Sequence, residues 1–259
     1  MLPNQPASTS TYPRLWLIVG HIVVGLTGAF VVFWLTDRSP TVWAFAFLGI
    51  VFGQTSLLGI WGGLGANPWW SRMVGVIVGT GYLFLLLGLG IDELNQRTFI
   101  VVVMATMFVM LILLSVRCFG VRIVLDSLPV TSSVRIQFSI RHLFILTFLV
   151  ACLFTIGKSV QPYIFSGDLP FGLLLFITAA GIAGVLPVWF VLATRQPVPY
   201  SIGLVGVEAF AGYYAGRLDA LNTESISMMI LTSIEALVVV VSLLVVRFCG
   251  YRLVRLPPH

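Results

Sequence analysis

Long apolar runs separated by short polar stretches make up most of this chain of 259 residues. Eight such runs are bounded by charged residues, prolines or turn residues, and each is 17 to 24 residues long. A helix needs about 20 residues to cross the hydrocarbon core of a bilayer, and lipid does not tolerate unpaired backbone groups. The pattern therefore predicts an all-α fold, a polytopic membrane helix bundle of about eight transmembrane helices. The runs are Leu15–Thr36, Thr41–Gly63, Met73–Ile91, Thr98–Val116, Arg141–Gly157, Pro170–Ala193, Tyr200–Gly216 and Ile226–Val246.

A 12-residue segment occurs twice, once near the middle of the chain and once near its end. Residues 113–124 read LLSVRCFGVRIV and residues 243–254 read LLVVRFCGYRLV, with seven identical positions. Each copy ends an apolar run with an arginine, turns at a glycine and adds a second arginine, which is the pattern of a helix leaving a membrane. The repeat predicts two four-helix halves with the same membrane orientation. The alternative is that a general exit pattern is used twice without duplication.

The same repeat gives the predicted domain boundaries. Residues 1–13 are expected to form a disordered amino-terminal tail, and residues 14–120 the first four-helix half. Residues 121–140 are expected to form a cytoplasmic connector on the lipid headgroups. Residues 141–250 form the predicted second half, and residues 251–259 a cytoplasmic tail.

The basic residues predict how the chain is oriented. If the amino terminus is cytoplasmic, the inner loops and tails hold ten arginines, whereas the outer loops hold four basic residues. This excess follows the positive-inside rule and places both termini in the cytoplasm.

Composition supports a membrane location. The chain is 59% hydrophobic and 9% charged, whereas a soluble protein is about 45–50% apolar and about a quarter charged. The net charge of +5 does not indicate a nucleic-acid partner, because the basic residues stand singly at the ends of apolar runs, where they anchor to headgroups. The expected partners are the lipid bilayer and a membrane-protein partner or a second copy of the chain.

Two short segments carry a resemblance to known sequences: FSIRHLFILTFLVA, at Phe138–Ala151, and GYRLVR, at Gly250–Arg255. The first resembles the segment with which a group of uncharacterised bacterial multi-pass membrane proteins enter the membrane, and the second is similar to the exit segments of the same group. The resemblance is confined to these two short segments and implies a location in the bacterial cytoplasmic membrane. It implies no catalytic or binding residue.

Two acidic residues, Glu208 and Glu235, lie inside predicted spans, where a charge costs on the order of 3 kcal/mol on insertion scales. Their runs form a hairpin, and both glutamates are expected about 13 Å below the outer face. Each shares a helix face with small or polar residues: Ala211, Gly212 and Ala215 beside the first, Thr232 and Ser242 beside the second. If the carboxyls meet away from water, the pair is expected to hold a proton near neutrality and to act as a proton or cation relay. The alternative is a structural glutamate that hydrogen-bonds a neighbouring helix.

His21 is the third relay candidate, about two turns inside the first predicted helix with Gly25 and Gly28 on its face. The alternative is that it makes one interhelical hydrogen bond. Glycines at GxxxG spacing are expected to mark tight packing within the bundle. These pairs are Gly59/Gly63, Gly75/Gly79 and Gly212/Gly216.

Enzyme chemistry is not indicated. Cys118, Cys152 and Cys249 have no metal-site spacing and are interpreted as reduced, small apolar residues. The chain has no HExxH, GxSxG, Walker or GxGxxG motif. No catalytic residue, metal or cofactor is predicted.

Two functions are consistent with these patterns. The first is a non-catalytic membrane protein that serves assembly, scaffolding or partner binding. The second is a small secondary transporter or ion-coupled permease that uses Glu208 and Glu235. A water-accessible cavity at both carboxyls would favour the transporter, whereas a dry, tightly packed seam would argue against it.

Overall fold

The computed structural model describes residues 12–35, 40–65, 67–91, 96–117, 121–125, 184–194, 196–217 and 225–255. The predicted run 141–157, the first part of the run 170–193 and residues 126–140 of the connector lie outside this part of the chain. So do residues 1–11 of the predicted tail.

Helices make up nearly all of the described structure. They are α1 (Tyr12–Leu35), α2 (Pro40–Leu64), α3 (Trp69–Ile91), α4 (Gln96–Arg117), α5 (Pro197–Arg217) and α6 (Ser225–Phe248), and residues 184–192 are helical as well. Each end of α1 to α6 lies within four residues of the end of the predicted run. Prolines suit the first turn of a helix, where no amide donor is needed, and α2 and α5 both begin at one. For the same reason Tyr12 and Pro13 belong to α1, so the prediction of a disordered tail is wrong for these two residues.

Three of the described helices are long and apolar enough to cross a membrane. These segments are Val42–Leu64, Trp69–Leu89 and Ser225–Phe248, and shorter apolar stretches lie at Ile18–Val31 and Val102–Arg117. The prediction of a helical chain with segments able to span a membrane is confirmed for the described residues. The count of eight crossings stays a prediction.

Helix α2 is the centre of the bundle, because it packs against α1, α3, α4 and α6. Glycines permit the close approach of these helices. A Cβ atom added at Gly49 would lie 2.5 Å from the backbone oxygen of Leu231 in α6, and one added at Gly59 would lie 2.7 Å from the Val109 side chain in α4. There is no room for a side chain at either position, so the backbones lie close together, as in other membrane helix pairs.

The glycine pairs singled out in the sequence all lie at contacts between helices. An added Cβ would meet α4 from Gly59 and Gly63, α2 from Gly75 and Gly79, and α6 from Gly212 and Gly216. Their predicted role in packing within the bundle is therefore confirmed.

Two clusters of buried apolar side chains lie along α2. One surrounds Phe47 and Val51 and includes residues of α1, α3 and α4. The other surrounds Ile60 and Leu64 and includes residues of α4, α5, α6 and the helical residues 184–192. The second cluster also contains Val121, which belongs to a short strand at that end of the bundle.

Two short strands form an antiparallel ribbon that the sequence analysis did not predict. Strand β1 (Val121–Leu125) and strand β2 (Tyr251–Arg255) are the last parts of the two repeat copies. Their register is symmetric about the pair Ile123 and Leu253, which occupy the same position in the two copies. The two copies therefore meet as equivalent partners.

The ribbon places its two strands on one side of a membrane. Because β1 and β2 pair, residues 125 and 251 lie on the same side of any bilayer that the bundle crosses.

The exit arginines of the two copies also have equivalent roles. Arg117 donates through Nη1 to the backbone oxygen of Gly65, 2.7 Å away, and to that of Gly63, 3.3 Å away, at the carboxyl end of α2. Arg247 donates through Nη1 to the backbone oxygen of Val191, near the end of the helical residues 184–192. Carbonyls at a helix end lack amide donors and carry partial negative charge, so an arginine stabilises them.

A further arginine, Arg72, also donates to backbone carbonyls at the carboxyl end of α2. Arg72 is only 5% exposed, and its Nη1 lies 2.5 Å from the backbone oxygen of Gly62 in α2. The expectation that it anchors to headgroups is wrong for this residue, because the free carbonyls of α2 lie within reach of its side chain.

Candidate functional site

The two predicted glutamates lie near each other along the hairpin formed by α5 and α6. Thr232 Oγ1 donates to the backbone oxygen of Glu208, 2.9 Å away, which places Glu208 beside Thr232. Glu235 follows Thr232 by three residues, or about 4.5 Å along the helix. Gly212 makes this approach possible, since a Cβ there would clash with Thr232 Oγ1. The two glutamates therefore lie less than one helical turn apart along the hairpin.

Both glutamates are buried: Glu208 is 9% exposed and Glu235 is 2% exposed. The predicted helix face is correct for Gly212 and Ser242, which are buried, and wrong for Ala211, which is exposed. Ala211 is one residue from Gly212, and the turn of about 100° between them carries it away from α6.

Ser56 on α2 is the hydrogen-bonding partner of Glu235. Its hydroxyl donates to Glu235 Oε1 over 3.3 Å. Both side chains are at least nine-tenths buried. The two residues are 179 positions apart in the sequence. Their hydrogen bond therefore links α6 to α2 at the centre of the bundle.

The seam around this contact is closely packed. A Cβ added at Gly53 would lie 2.8 Å from Val238 Cβ and 3.1 Å from the backbone oxygen of Glu235. On another side, a Cβ added at Gly184 would lie 2.7 Å from Ser56 Oγ. Helix α2, helix α6 and the helical residues 184–192 therefore pack tightly around the Ser56–Glu235 hydrogen bond. This close packing favours a structural role for Glu235.

His21 lies on the side of α2 that is opposite to Glu235. Its backbone oxygen accepts a hydrogen bond from Gln54 Nε2, 3.0 Å away. Gln54 and Ser56 are two residues apart, and two residues turn a helix by about 200°, so they point to opposite sides of α2. The structure thus brings Glu208 and Glu235 together and leaves His21 with α1 and α3.

Helix α1 is attached to the bundle through its backbone. Tyr82 of α3 donates from its hydroxyl to the backbone oxygen of Ile22, 3.2 Å away, one residue after the oxygen that Gln54 reaches. A Cβ at Gly25 would lie 2.6 Å from the Tyr82 hydroxyl and 3.3 Å from Gln54 Nε2. Gln54 and Tyr82 thus hold α1 against α2 and α3 through hydrogen bonds to its backbone.

An apolar cavity of about 410 Å³ lies between α1 and α2. Its lining includes Val24, Gly28, Trp43 and Phe47, and Ile234 of α6 also contributes. Neither glutamate lines it. It therefore provides no aqueous route to the carboxyl pair within the described residues.

Metal-binding groups are few in this part of the chain. No cluster of three histidine, cysteine, aspartate or glutamate side chains occurs among the described residues. Cys249 is a free thiol and half-buried. Cys118 and Cys152 lie outside the described residues, so their predicted state is not addressed.

The most informative residues that the sequence analysis missed are Ser56, Gly49 and Gly53. The two glycines have the GxxxG spacing, and a buried Gln-Thr-Ser sequence follows directly. Together these signals mark a helix face that approaches another helix and offers it a hydroxyl.

The chain matches no protein family model, no curated protein and no solved structure. The segment Phe138–Ala151, which carries the resemblance to bacterial multi-pass proteins, lies outside the described residues.

Proposed function

We propose that this chain is a non-catalytic, multi-pass protein of a bacterial cytoplasmic membrane, with both termini in the cytoplasm. Its function is to assemble with another membrane protein or a second copy of itself. The contact surface is the outward side of α5, defined by Gly203, Gly206, Val207 and Phe210. The observation that carries the proposal is the position of these two glycines.

Glycines elsewhere in the described helices mark places where helices touch. For most of them, an added Cβ would lie within 4 Å of a neighbouring side chain or backbone. The exceptions, with nothing that close, are Gly20, Gly81, Gly203 and Gly206. The last two are three residues apart and so lie on one side of α5. By analogy with the other glycines, they mark a place for a helix that the described residues do not supply.

The neighbours of these glycines would add to such a contact. Val207 is 62% exposed and Phe210 is 64% exposed. Phe210 also packs against Tyr214, with 4.5 Å between ring centroids. Small residues beside large, ordered apolar ones form the notched surface on which membrane helices associate.

The buried polar groups support the same function. Glu235 is held by Ser56 in a closely packed seam, and the exit arginines bind helix ends. These groups therefore stabilise the bundle. A stable, rigid bundle with a notched outer surface fits a protein that works by association.

The proposal is tested by photo-crosslinking in native membranes. A photoreactive phenylalanine analogue replaces Val207, beside the glycine pair, or Val78 of α3, which is 67% exposed and serves as the control. We expect a protein adduct of one defined mass from position 207 and only lipid adducts from position 78. An adduct of twice the chain's mass identifies a second copy as the partner.

Substitution of the glycines provides the second arm. Gly203→Leu with Gly206→Leu should abolish the adduct and leave the thermal unfolding temperature of the purified chain unchanged. If the double variant unfolds in purified form, the α5 surface is an internal contact and the proposal is wrong. Equal adducts at both positions would also overturn it.

The alternative function is a small secondary transporter or ion-coupled permease that uses Glu208 and Glu235. The observation in its favour is that two glutamates are buried within one helical turn of each other along the α5–α6 hairpin. In proteoliposomes, either Glu→Gln substitution should then abolish pH-driven flux. His21→Gln should leave it intact, because His21 lies across α2. Flux that is unaffected by both glutamine substitutions would rule this function out.

A further inference from the structure

The apolar cavity between α1 and α2 is a cleft along one side of the bundle, with α2 as its floor. Gly28 of α1 lies against α2, because a Cβ added there would lie 3.4 Å from Phe47 and 3.1 Å from Ile50. On a neighbouring side of α2, a Cβ added at Gly49 would lie 3.0 Å from Ile234 Cβ of α6. Helices α1 and α6 thus form the two walls, and the cleft between them has a volume of about 410 Å³.

The cleft extends from one surface of a bilayer that the bundle crosses toward the middle of its hydrocarbon core. The α1 wall runs from Val23 to Val31 and the floor from Trp43 to Ile50, which corresponds to about 12 Å and about 10 Å of helix. Trp43 lies three residues after Pro40, where α2 begins, a typical position for a tryptophan at the headgroup level. The cleft thus covers most of the roughly 15 Å that one leaflet contributes to the hydrocarbon core.

The cleft is accessible from lipid. Its floor and its two walls belong to the segments Val42–Leu64, Ile18–Val31 and Ser225–Phe248, which are all apolar and of which the first and the last are able to span a membrane. Val23 and Val24, in the α1 wall, are 54% and 46% exposed. Apolar side chains exposed at this depth contact hydrocarbon, so a lipid chain reaches the cleft without crossing water.

The lining favours an apolar occupant. Among the described residues that line the cleft there is no charged side chain, and the polar ones are Thr27 and Trp43. A charged or strongly polar ligand would lose its hydration here without gaining a partner. Empty space of this size would also deprive the lining side chains of dispersion contacts, so a bilayer fills it with hydrocarbon.

The walls of the cleft are unsuited to a further helix. Where the described helices touch, glycines bring two backbones together, as at Gly49, Gly59 and Gly212. The glycine of the cleft, Gly28, already faces α2. The α1 wall beside it consists of valines and Thr27, whose β-branched side chains are stiff. These side chains keep a helix away from the floor, whereas a flexible hydrocarbon chain fits between them.

We propose that this cleft binds one acyl chain of a phospholipid, whose headgroup lies beside Trp43. The indole N–H of Trp43 is a donor that suits the ester and phosphate oxygens of a lipid at this level. The bound chain fills the space between the two walls, and so it joins α1, which packs on α2 and α3, to α6. The site lies on α1, α2 and α6 and is independent of the α5 surface.

A photoreactive phospholipid tests the site on the full chain. Phosphatidylglycerol with a diazirine in the middle of one acyl chain is added at low mole fraction to the chain purified in detergent. Because the detergent replaces loosely held lipid, irradiation labels only a lipid that occupies a binding site. We expect one adduct per chain, mapped by peptide mass spectrometry to residues 23–31 or 43–50. Adducts at exposed side chains outside the cleft, such as Val78 with an exposure of 67%, or no adduct at all, would overturn the proposal.

Val24→Phe and Leu26→Phe form a matched pair of variants. Both side chains lie on α1 and are 46% and 48% exposed, but only Val24 lines the cleft. A phenyl ring at position 24 takes up space that the acyl chain needs, so the adduct yield should fall at least about fivefold, the smaller effect of overpacking a filled site. Thr27→Phe, a second substitution in the lining, should act in the same way. Leu26→Phe should change the yield by less than about twofold. Equal losses at positions 24 and 26, or no loss at either lining position, would overturn the proposal.

Unlabelled lipids establish which kind of chain the cleft accepts. An excess of unlabelled phosphatidylglycerol should suppress the adduct. A polyisoprenoid alcohol at the same concentration should not, because its methyl branches make the chain wider and it has no ester or phosphate oxygen for Trp43. Suppression by the isoprenoid would overturn the phospholipid assignment. Gly203→Leu with Gly206→Leu should leave the adduct unchanged, so this proposal and that of the α5 surface can fail independently.

Discussion

Gly49→Ala should weaken the contact between α2 and α6 by an amount that follows from the geometry. The added Cβ would lie 2.5 Å from the backbone oxygen of Leu231 and 3.0 Å from Ile234 Cβ. Ordinary contact begins near 3.4 Å, and the backbone oxygen cannot rotate away, so α2 must withdraw by about 0.9 Å. The Ser56–Glu235 hydrogen bond, 3.3 Å long, would then exceed hydrogen-bonding distance.

The expected loss of stability combines three contributions. Overpacking costs about 1–3 kcal/mol, and an interhelical hydrogen bond in a membrane contributes about 0.6 kcal/mol. Alanine is a better helix former than glycine, which returns up to about 1 kcal/mol. With the full helix-propensity gain subtracted, the net loss in free energy of unfolding for Gly49→Ala is about 0.6–2.6 kcal/mol.

Gly81→Ala is the control, because an added Cβ there meets nothing within 4 Å. This variant should be as stable as the parent or slightly more stable. Equilibrium unfolding in mixed micelles, followed by the fluorescence of the seven tryptophans, measures both variants under one condition. If Gly49→Ala and Gly81→Ala have the same free energy of unfolding, the α2–α6 seam is not closely packed and the structural role of Glu235 is refuted.

Further predictions concern other contacts and use the same unfolding assay. Ser56→Ala and Glu235→Met, which has a similar length but no oxygen to accept the hydrogen bond, should show a coupling energy of about 0.6 kcal/mol, at most about 1.7, in a double-mutant cycle, and zero coupling would contradict the hydrogen bond. Arg117→Gln and Arg247→Gln should each destabilise the chain by about 1.5–3 kcal/mol, since each removes a charged donor from helix-end carbonyls; unequal effects would argue against equivalent roles. Gly250 has a φ of 86°, so Gly250→Ala should cost about 1–2 kcal/mol and Gly250→Asn less. The reverse order would contradict that conformation.

The extents of the helices could be predicted because their signals are local. Run length, flanking prolines and terminal arginines lie within each helix, and α2 begins at Pro40 within one residue of the predicted run. That Glu208 and Glu235 lie near each other along α5 and α6 was also predictable to within one helical turn, because residues can be counted from the bend of a hairpin of two helices.

The partners of the helices could not be predicted in this way. The chain contains 25 glycines, so the spacing of Gly49 and Gly53 alone did not indicate which helix they face. Ser56 is one hydroxyl among many, and its contact with Glu235 depends on the arrangement of all the helices between them. Arg72 has the local signature of a headgroup anchor, and only the position of α2's free carbonyls makes it a buried donor.

The pairing of β1 with β2 could not be predicted from local sequence either. The sequences VRIVL and YRLVR have the alternation of a strand, but each is too short to distinguish a strand from a cationic, amphipathic tail. A two-stranded pair forms only when a second strand is brought to the same place. The repeated segment was the available signal that the two strands are partners.

The described fold requires the two repeat copies to meet on one side of the membrane. Ile123→Cys with Leu253→Cys, in a chain whose native cysteines are replaced by serine, should form a disulfide on mild oxidation in membranes, because directly opposite residues have Cα atoms about 4.5–5.5 Å apart. Val121→Cys with Tyr251→Cys should not, since the register places them four residues apart along the ribbon, about 13 Å. If the first pair fails to crosslink, and an impermeant thiol reagent labels positions 123 and 253 from opposite sides of the membrane, the account is contradicted.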